Sequence, residues 1–312
     1  VASVLTVVVG AYALTRGDYT LSIAEVLRTL SGQGTLITYD VVVNNRLPRV
    51  LTGIGVGAAF AMSGAIFQRL ARNPLVSPDL IGINAGAALA AVLIITVIGS
   101  GWIPLGALAG SLLSAVSVYL LAYRNGVSGN RLVLVGVGVT AIVGSLTAYL
   151  LTLADIYTAK SASMWLAGSL AGRSWTHVVL IGVTLAVGIP AAVVVERQLR
   201  LLELGDDLAR ALGGRVESAR GVLIALGVGL AALATATAGP IGFVALVAPQ
   251  LARRLVPRPG LVVPGAIGAL LVVVSDLLAR TVVAPTVLPV GVVTAFLGAP
   301  YLLYLLTRAR PI

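Results

Sequence analysis

The chain has 312 residues, of which 58% are hydrophobic and 10% charged, and its mean hydropathy is +1.04. Soluble domains carry roughly a quarter charged residues, so this composition excludes an ordinary water-soluble enzyme and points to a polytopic membrane protein. The formal charge is +10, there is no cysteine, and His177 is the lone histidine. Disulfides, zinc thiolates, iron–sulfur clusters, cysteine nucleophiles and His-rich metal sites are thereby ruled out.

A helix crossing ~30 Å of hydrocarbon needs about 20 mostly apolar residues, so uncharged windows can be read off in chain order. Residues 1–15 form the first and read as a span rather than a cleavable signal peptide. Residues 18–45 follow as an outer segment in which Leu21, Ile23, Val26, Leu27 and Leu30 outline a short surface helix. The second window is 50–68. Residues 80–123 are long enough for two helices, with Gly99-Ser100-Gly101-Trp102-Ile103-Pro104 as the turn between them. Next come 132–154, an outer segment at 155–173, and 174–195. Residues 221–252 are long for one span and short for two, with Ala238-Gly239-Pro240 near the middle. Windows 259–275 and 281–307 complete the chain.

Basic residues decide the ambiguous window. Arg197, Arg200, Arg210, Arg215 and Arg220 precede it, and Arg253, Arg254 and Arg258 follow it. With both flanks cytoplasmic, the segment crosses an even number of times and holds two spans. That predicts ten transmembrane helices in an all-α membrane protein, laid out as one domain over residues 1–312. With the N-terminus inside, 14 of the 21 basic residues are cytoplasmic, so most of the positive charge is a signal of orientation rather than of nucleic-acid binding.

Few residues are placed to carry chemistry. Gly-x-Gly-x-x-Ala occurs at Gly53, Gly136 and Gly227, but each lies inside a helical window, where small residues serve close packing rather than dinucleotide binding. Lys160 is not preceded by phosphate-loop glycines, so the chain has no Walker A motif and any ATP is bound by another subunit. Asp276 lies four residues before Arg280 and pairs with it on one helix face; a proton relay through Asp276 is the alternative. Glu196 and Asp79 fall at span ends, where solvated or capping roles are expected. Arg46 and Arg49 flank Leu47-Pro48 at the outer mouth of span two, where they either snorkel toward headgroups or receive carboxylates of an external protein. Residues 203–214 place acids first, then Arg210, then Gly213 and Gly214, the charge order and stop signal of a short helix. Leu208 and Leu212 form a small ridge on it, suited to a solvated connector or to a docking helix.

Several stretches carry a family resemblance. They are Arg46-Leu47-Pro48-Arg49, the run from Gly57 to Gln68, the run from Asn73 to Ala87, Trp165 to Trp175, Leu204 to Gly213, Gly239 to Pro249, and Leu288 to Pro300. In this order they resemble the FecCD/BtuC-like permeases of ABC importers for iron-siderophores, haem and vitamin B12, from about Arg46 to the C-terminus. The resemblance implies a type II ABC importer permease with ten spans and an inverted repeat relating spans 2–5 to spans 7–10. Two permeases, identical or not, would enclose a pathway, with two ATPases below and a periplasmic binding protein above, in the bacterial inner membrane.

The resemblance also assigns roles. Arg46, Arg49 and Arg280 match positions that dock the binding protein. Residues 202–215 match coupling helices, with Leu204, Gly205, Asp206, Leu208, Arg210, Leu212 and Gly213 meeting the ATPase. Gly129 and Asn130 fall at the cytoplasmic gate, where polar side chains are usual. It implies no catalytic or metal site and no cofactor in the chain itself, since ATP and Mg belong to the ATPase. The motifs are most similar to the ferric-siderophore branch, with haem or cobalamin import as the alternative. Gln250, where many members have His, is similar to one subunit of the ferric-enterobactin type. A proton-coupled secondary transporter is the competing class.

Overall fold

The computed structural model describes residues 1–17, 19–97, 102–123, 129–283 and 286–308. Among the described residues the fold is entirely helical. In chain order the helices are α1 (Ala2–Thr15), α2 (Ile23–Leu30), α3 (Leu36–Tyr39), α4 (Leu47–Leu70), α5 (Ile83–Val97), α6 (Ile103–Ala122) and α7 (Gly129–Leu153). They continue as α8 (Ile156–Leu166), α9 (Trp175–Glu203), α10 (Asp206–Ala211), α11 (Val216–Ala238), α12 (Val244–Leu255), α13 (Val262–Thr281) and α14 (Val290–Arg308).

The ten anticipated spans correspond to α1, α4, α5, α6, α7, α9, α11, α12, α13 and α14. Among the described residues, six helices are long and apolar enough to cross a membrane unaided, including a continuous helix Leu36–Leu70 that contains α4; Ala2–Thr15, Ile83–Val97 and Val290–Tyr304 are shorter apolar helices. The window at 221–252 does hold two helices. α11 ends at Ala238, Gly239 takes φ +76, and α12 begins at Val244 with only 12 residues. Gly239 and Pro240 end α11 because one takes a positive φ with an extended ψ, open to glycine, and the other lacks a donor.

The short outer helices are fixed locally. Ser22 and Glu25 form a capping box at the start of α2, and these hydrogen bonds hold the Glu25 carboxyl below its ordinary pKa. Asp155 caps α8 through the Tyr157 and Thr158 amides at 3.0 and 3.1 Å.

α4 is the central helix, 83% buried over its apolar window, and it packs against α13, α11, α9 and α12. Glycine makes this possible. A Cβ at Gly57 would stand 2.3 Å from the Gly268 carbonyl, and one at Gly268 would stand 2.3 Å from the Gly57 carbonyl. Buried polar side chains then join the backbones in a medium without water: Ser63 Oγ donates to the Gly227 carbonyl at 2.7 Å, and Gln68 Nε2 donates to Leu246 at 3.1 Å. The packing follows the repeat. α4 lies along α13 as α11 lies along α6, and α5 pairs with α6 as α12 pairs with α13.

Gly53 and Gly227 serve helix packing as anticipated, meeting Leu170 and Phe67 respectively. Gly138, in the third copy of that motif, has nothing within 4 Å of a Cβ built on it. It lies on α7, whose apolar window is only 17% buried.

Candidate functional site

Two clusters lie at opposite ends of the bundle. At the first, the approach to α4 is a π-helical segment, Asp40–Arg46, in which the Leu47 amide reaches back to the Val42 carbonyl, five residues before it. The cause is Pro48, which has no N–H to give to Asn44 and whose ring would press on that carbonyl in an α-turn. The wider turn passes that strain over and sets Arg46 and Arg49 at the mouth of the bundle.

Arg46 is only 7% exposed. Its Nη1 donates to the Leu14 carbonyl at 2.7 Å and its Nη2 to the Tyr19 carbonyl, tying α1 and the segment after it to α4. Arg49 reaches across to α13. Its Nε and Nη2 both donate to Asp276, at 3.0 and 2.8 Å to Oδ1, while Arg280 Nε stands 3.2 Å from Asp276 Oδ2. One buried carboxylate is thus shared by two guanidiniums, and Arg280 Nη2 is buried without a hydrogen-bond partner. Arg173 adds a fourth cation: its Nη1 donates to the Thr237 carbonyl at 2.8 Å and contacts His177 Nε2 at 3.1 Å. Burial first, and then the charge of Arg49, pull the Arg173 guanidinium below its ordinary pKa.

The anticipated Asp276–Arg280 pair is therefore present, but the stronger bidentate partner is Arg49, which lies 227 residues away in sequence. The two groups holding Asp276 are guanidiniums, which do not exchange protons near neutral pH. That geometry suits a fixed charge cluster and gives a proton relay no titratable neighbour on either side.

At the other end, residues 202–215 divide into the last turn of α9, the six-residue α10 and a glycine turn. Gly205 takes φ +105 to enter α10, and Gly213 takes φ +80 to leave it. The amides of Gly213 and Gly214 bond back to Arg210 and Ala209 at 2.9 and 2.8 Å, closing the helix. Ala209 is buried, and Arg220 of α11 holds Asp206 at 2.8 Å, so α10 is pinned to the bundle from below. Arg210 pairs with Asp207 on the exposed side. Leu208 and Leu212 are 55% and 60% exposed, as the ridge requires, and Leu204, which ends α9 just before the Gly205 turn, is exposed beside them at 56%.

Of the solvated or capping roles expected at these span ends, Glu196 takes the capping one, whereas Asp79 is buried. Glu196 binds Arg69 at 3.0 Å and Arg200 at 3.2 Å, and accepts the Leu261 amide at 2.9 Å, so it caps α13 from another helix. Asp79, in the short 3₁₀ turn Pro78–Ile81, takes the Asn84 amide, and Asn84 Oδ1 accepts from Thr235 Oγ1 of α11 at 2.7 Å. Burial pushes the Asp79 carboxyl up to about 6 against the opposing hydrogen bonds of Ser77 and Asn84. Gly129 and Asn130 form the first turn of α7; their side-chain surroundings lie outside the described residues.

Ten packed spans with a charged cluster at one end and an exposed leucine ridge at the other define a multi-pass membrane protein. The FecCD transport family profile matches residues 5–308, and the chain belongs to this family of transport permeases. It is 43% identical over 306 residues to the ferric enterobactin transport system permease protein FepG of Escherichia coli, covering 97% of this chain and 93% of that one. To the achromobactin transport system permease protein CbrC of Dickeya dadantii it is 42% identical over 302 residues, covering 94% and 86%. To the hemin transport system permease protein HmuU of Yersinia pestis it is 40% identical, covering 86% and 83%. Among solved structures, an inward-facing metal-chelate type ABC transporter superimposes with a TM-score of 0.88 at 28% identity, covering 98% of this chain and 97% of that one.

Proposed function

We propose that the chain is the transmembrane subunit of an ATP-driven importer that carries a ferric siderophore across the bacterial inner membrane by alternating access. The observation that carries this reading is the near full-length similarity to permeases for ferric enterobactin and achromobactin. Gln250, the residue set apart in the sequence, donates to the Pro74 carbonyl at 2.7 Å and so ties α12 to the turn after α4. The hemin permease is similar over a smaller share of the chain, which places haem import second.

In this reading no covalent chemistry occurs in the chain. Two ATPases with bound ATP and Mg sit against the α10 ridge, and ATP binding and hydrolysis shift the populations of two permease conformations. A second permease copy, identical or not, closes the pathway, and Gly129 and Asn130 stand at its cytoplasmic gate. A periplasmic binding protein meets Arg46, Arg49 and Arg280. The crowding of four guanidiniums about Asp276 supports that contact, because it leaves excess positive charge for partner carboxylates. Such carboxylates would compete with Asp276 for Arg49 and Arg280, whereas Arg46 also serves as the tether of α1.

Reconstituted vesicles provide the test. Uptake of a ferric siderophore should require the cognate ATPase and ATP and should persist with an uncoupler. Uptake driven by a pH gradient alone, without ATP, would overturn the proposal.

A further inference from the structure

At the end of the bundle that carries α10, the tips of α4, α9, α12 and α13 enclose a cavity of about 700 Å³. Its polar lining is Arg69, Arg197, Arg200, Arg253, Arg258 and Glu203. The arginines are not equally committed. Arg69 is held by Glu196 at 3.0 Å and by Glu203 at 2.5 Å, and Arg200 by Glu196 at 3.2 Å. Arg253 donates to a neutral group, Gln68 Oε1, at 2.7 Å. Arg197 and Arg258 make no hydrogen bond or ion pair among the described residues, and both are solvent-facing at the rim.

Two carboxylates therefore face five guanidiniums that remain charged at any physiological pH. The remaining walls are apolar: Ala65, Leu201, Pro249, Leu261 and Pro264. A cavity that couples an uncompensated cationic rim to an apolar interior fits an amphiphile with an anionic head. Guanidinium forks match phosphate oxygens in pairs, and the volume lies within the range of small-molecule sites, roughly 300–1,000 Å³, well beyond what a lone phosphate fills. The position fits as well, because span ends lie at headgroup depth, where basic pockets between helices hold anionic lipid heads.

We propose that this cavity is a binding site for the phosphate headgroup of an anionic phospholipid, with Arg197, Arg253 and Arg258 as its ligands and the apolar wall receiving the first carbons of an acyl chain. The cavity adjoins α10 through Leu204, which ends α9 and lines the cavity, so a bound lipid would lie between the bundle and whatever covers α10.

The test uses the permease with its ATPase, purified from nanodiscs of phosphatidylglycerol mixed with phosphatidylcholine and read by native mass spectrometry. The complex should retain phosphatidylglycerol preferentially. Retention should fall about a hundredfold in the Arg197→Gln/Arg258→Gln double variant, as expected for losing two charge-assisted contacts at about tenfold each. It should be unchanged in Arg254→Gln, which removes one positive charge from the end of α12, where that side chain stacks on Tyr301 and Tyr304 and does not line the cavity. Because Arg197 and Arg258 hold no other described group, the double variant keeps the Arg69–Glu196–Glu203 cluster, and a monodisperse elution profile checks its folding. Equal retention of both lipids, or equal loss in the double variant and in Arg254→Gln, overturns the proposal. So does capture of inorganic phosphate alone, which would mark a free-anion site. Loss of the ATPase from the double variant with lipid retention intact also overturns it, since the rim would then be a contact for acidic side chains of that subunit.

Discussion

Asp276 is the residue on which the charged cluster depends. Its carboxylate is bound by Arg49 and Arg280 with only 4% of its side chain exposed, and withdrawing one partner of a buried pair leaves the others desolvated, at a cost of about 3–5 kcal/mol. Asp276→Asn should therefore lower the thermal unfolding midpoint in detergent by several degrees; an unchanged midpoint would show that the pair contributes nothing. Asp79 makes a prediction in pH. Its carboxyl rises from 3.8 to about 6 in the fold, so between those values the folded chain holds a proton that the unfolded chain has released. Stability contributed at this site is full below about 4 and is lost as pH rises through about 6. Asp79→Asn should flatten that part of the stability–pH curve, by on the order of 2 kcal/mol across the interval, and an unaltered slope would refute the assignment.

Among the elements, α10 and α4 show opposite uses of small residues. In α10, glycines at both ends permit a six-residue helix that could not persist alone, and Arg220 with the buried Ala209 anchors it so that Leu208 faces outward, with Leu204 and Leu212 exposed at its two ends. Replacing Leu208 and Leu212 with Asp should abolish co-purification of the ATPase while the permease itself stays folded, since both side chains are already exposed. An intact complex would remove the coupling role. In α4 the glycines face inward. Gly57→Ala sets a methyl 2.3 Å from the Gly268 carbonyl, and the separation it forces should destabilise the chain by about 1–3 kcal/mol, visible as a lower unfolding midpoint without loss of helicity.

At the scale of the molecule, burial is uneven: the window in α4 is 83% buried and that in α7 only 17%. Gly138 and Gly144 on α7 meet nothing within 4 Å, although small residues in lipid normally mark close helix contacts. The second permease subunit of the proposed assembly fits this face. The chain has no cysteine, so Gly144→Cys creates a unique thiol. Oxidative cross-linking in membranes should join two Gly144→Cys copies through a disulfide, at twice 31.7 kDa for a homodimer; for a heterodimer a matching cysteine is introduced in the second chain to supply the other thiol. A chain that stays monomeric under cross-linking would argue against α7 as the subunit interface.

The positions of the spans were legible because hydrocarbon thickness and charge exclusion act on each window separately. Even the divided window at 221–252 followed from the arginines on its flanks, and the short α10 from the order of acids, arginine and glycines. The Asp276–Arg280 pair was readable for the same reason, being one helical turn apart. What no local rule contains is which helix meets which: Arg49 with Asp276, Glu196 with the amide of Leu261, Asn84 with Thr235, and arginines of α4, α9 and α12 around one cavity. Those juxtapositions depend on how α4 packs among its neighbours. Hydropathy places each span in the membrane, but the direction of a side chain around its helix axis, and hence its partner, is settled only when the backbones close against one another.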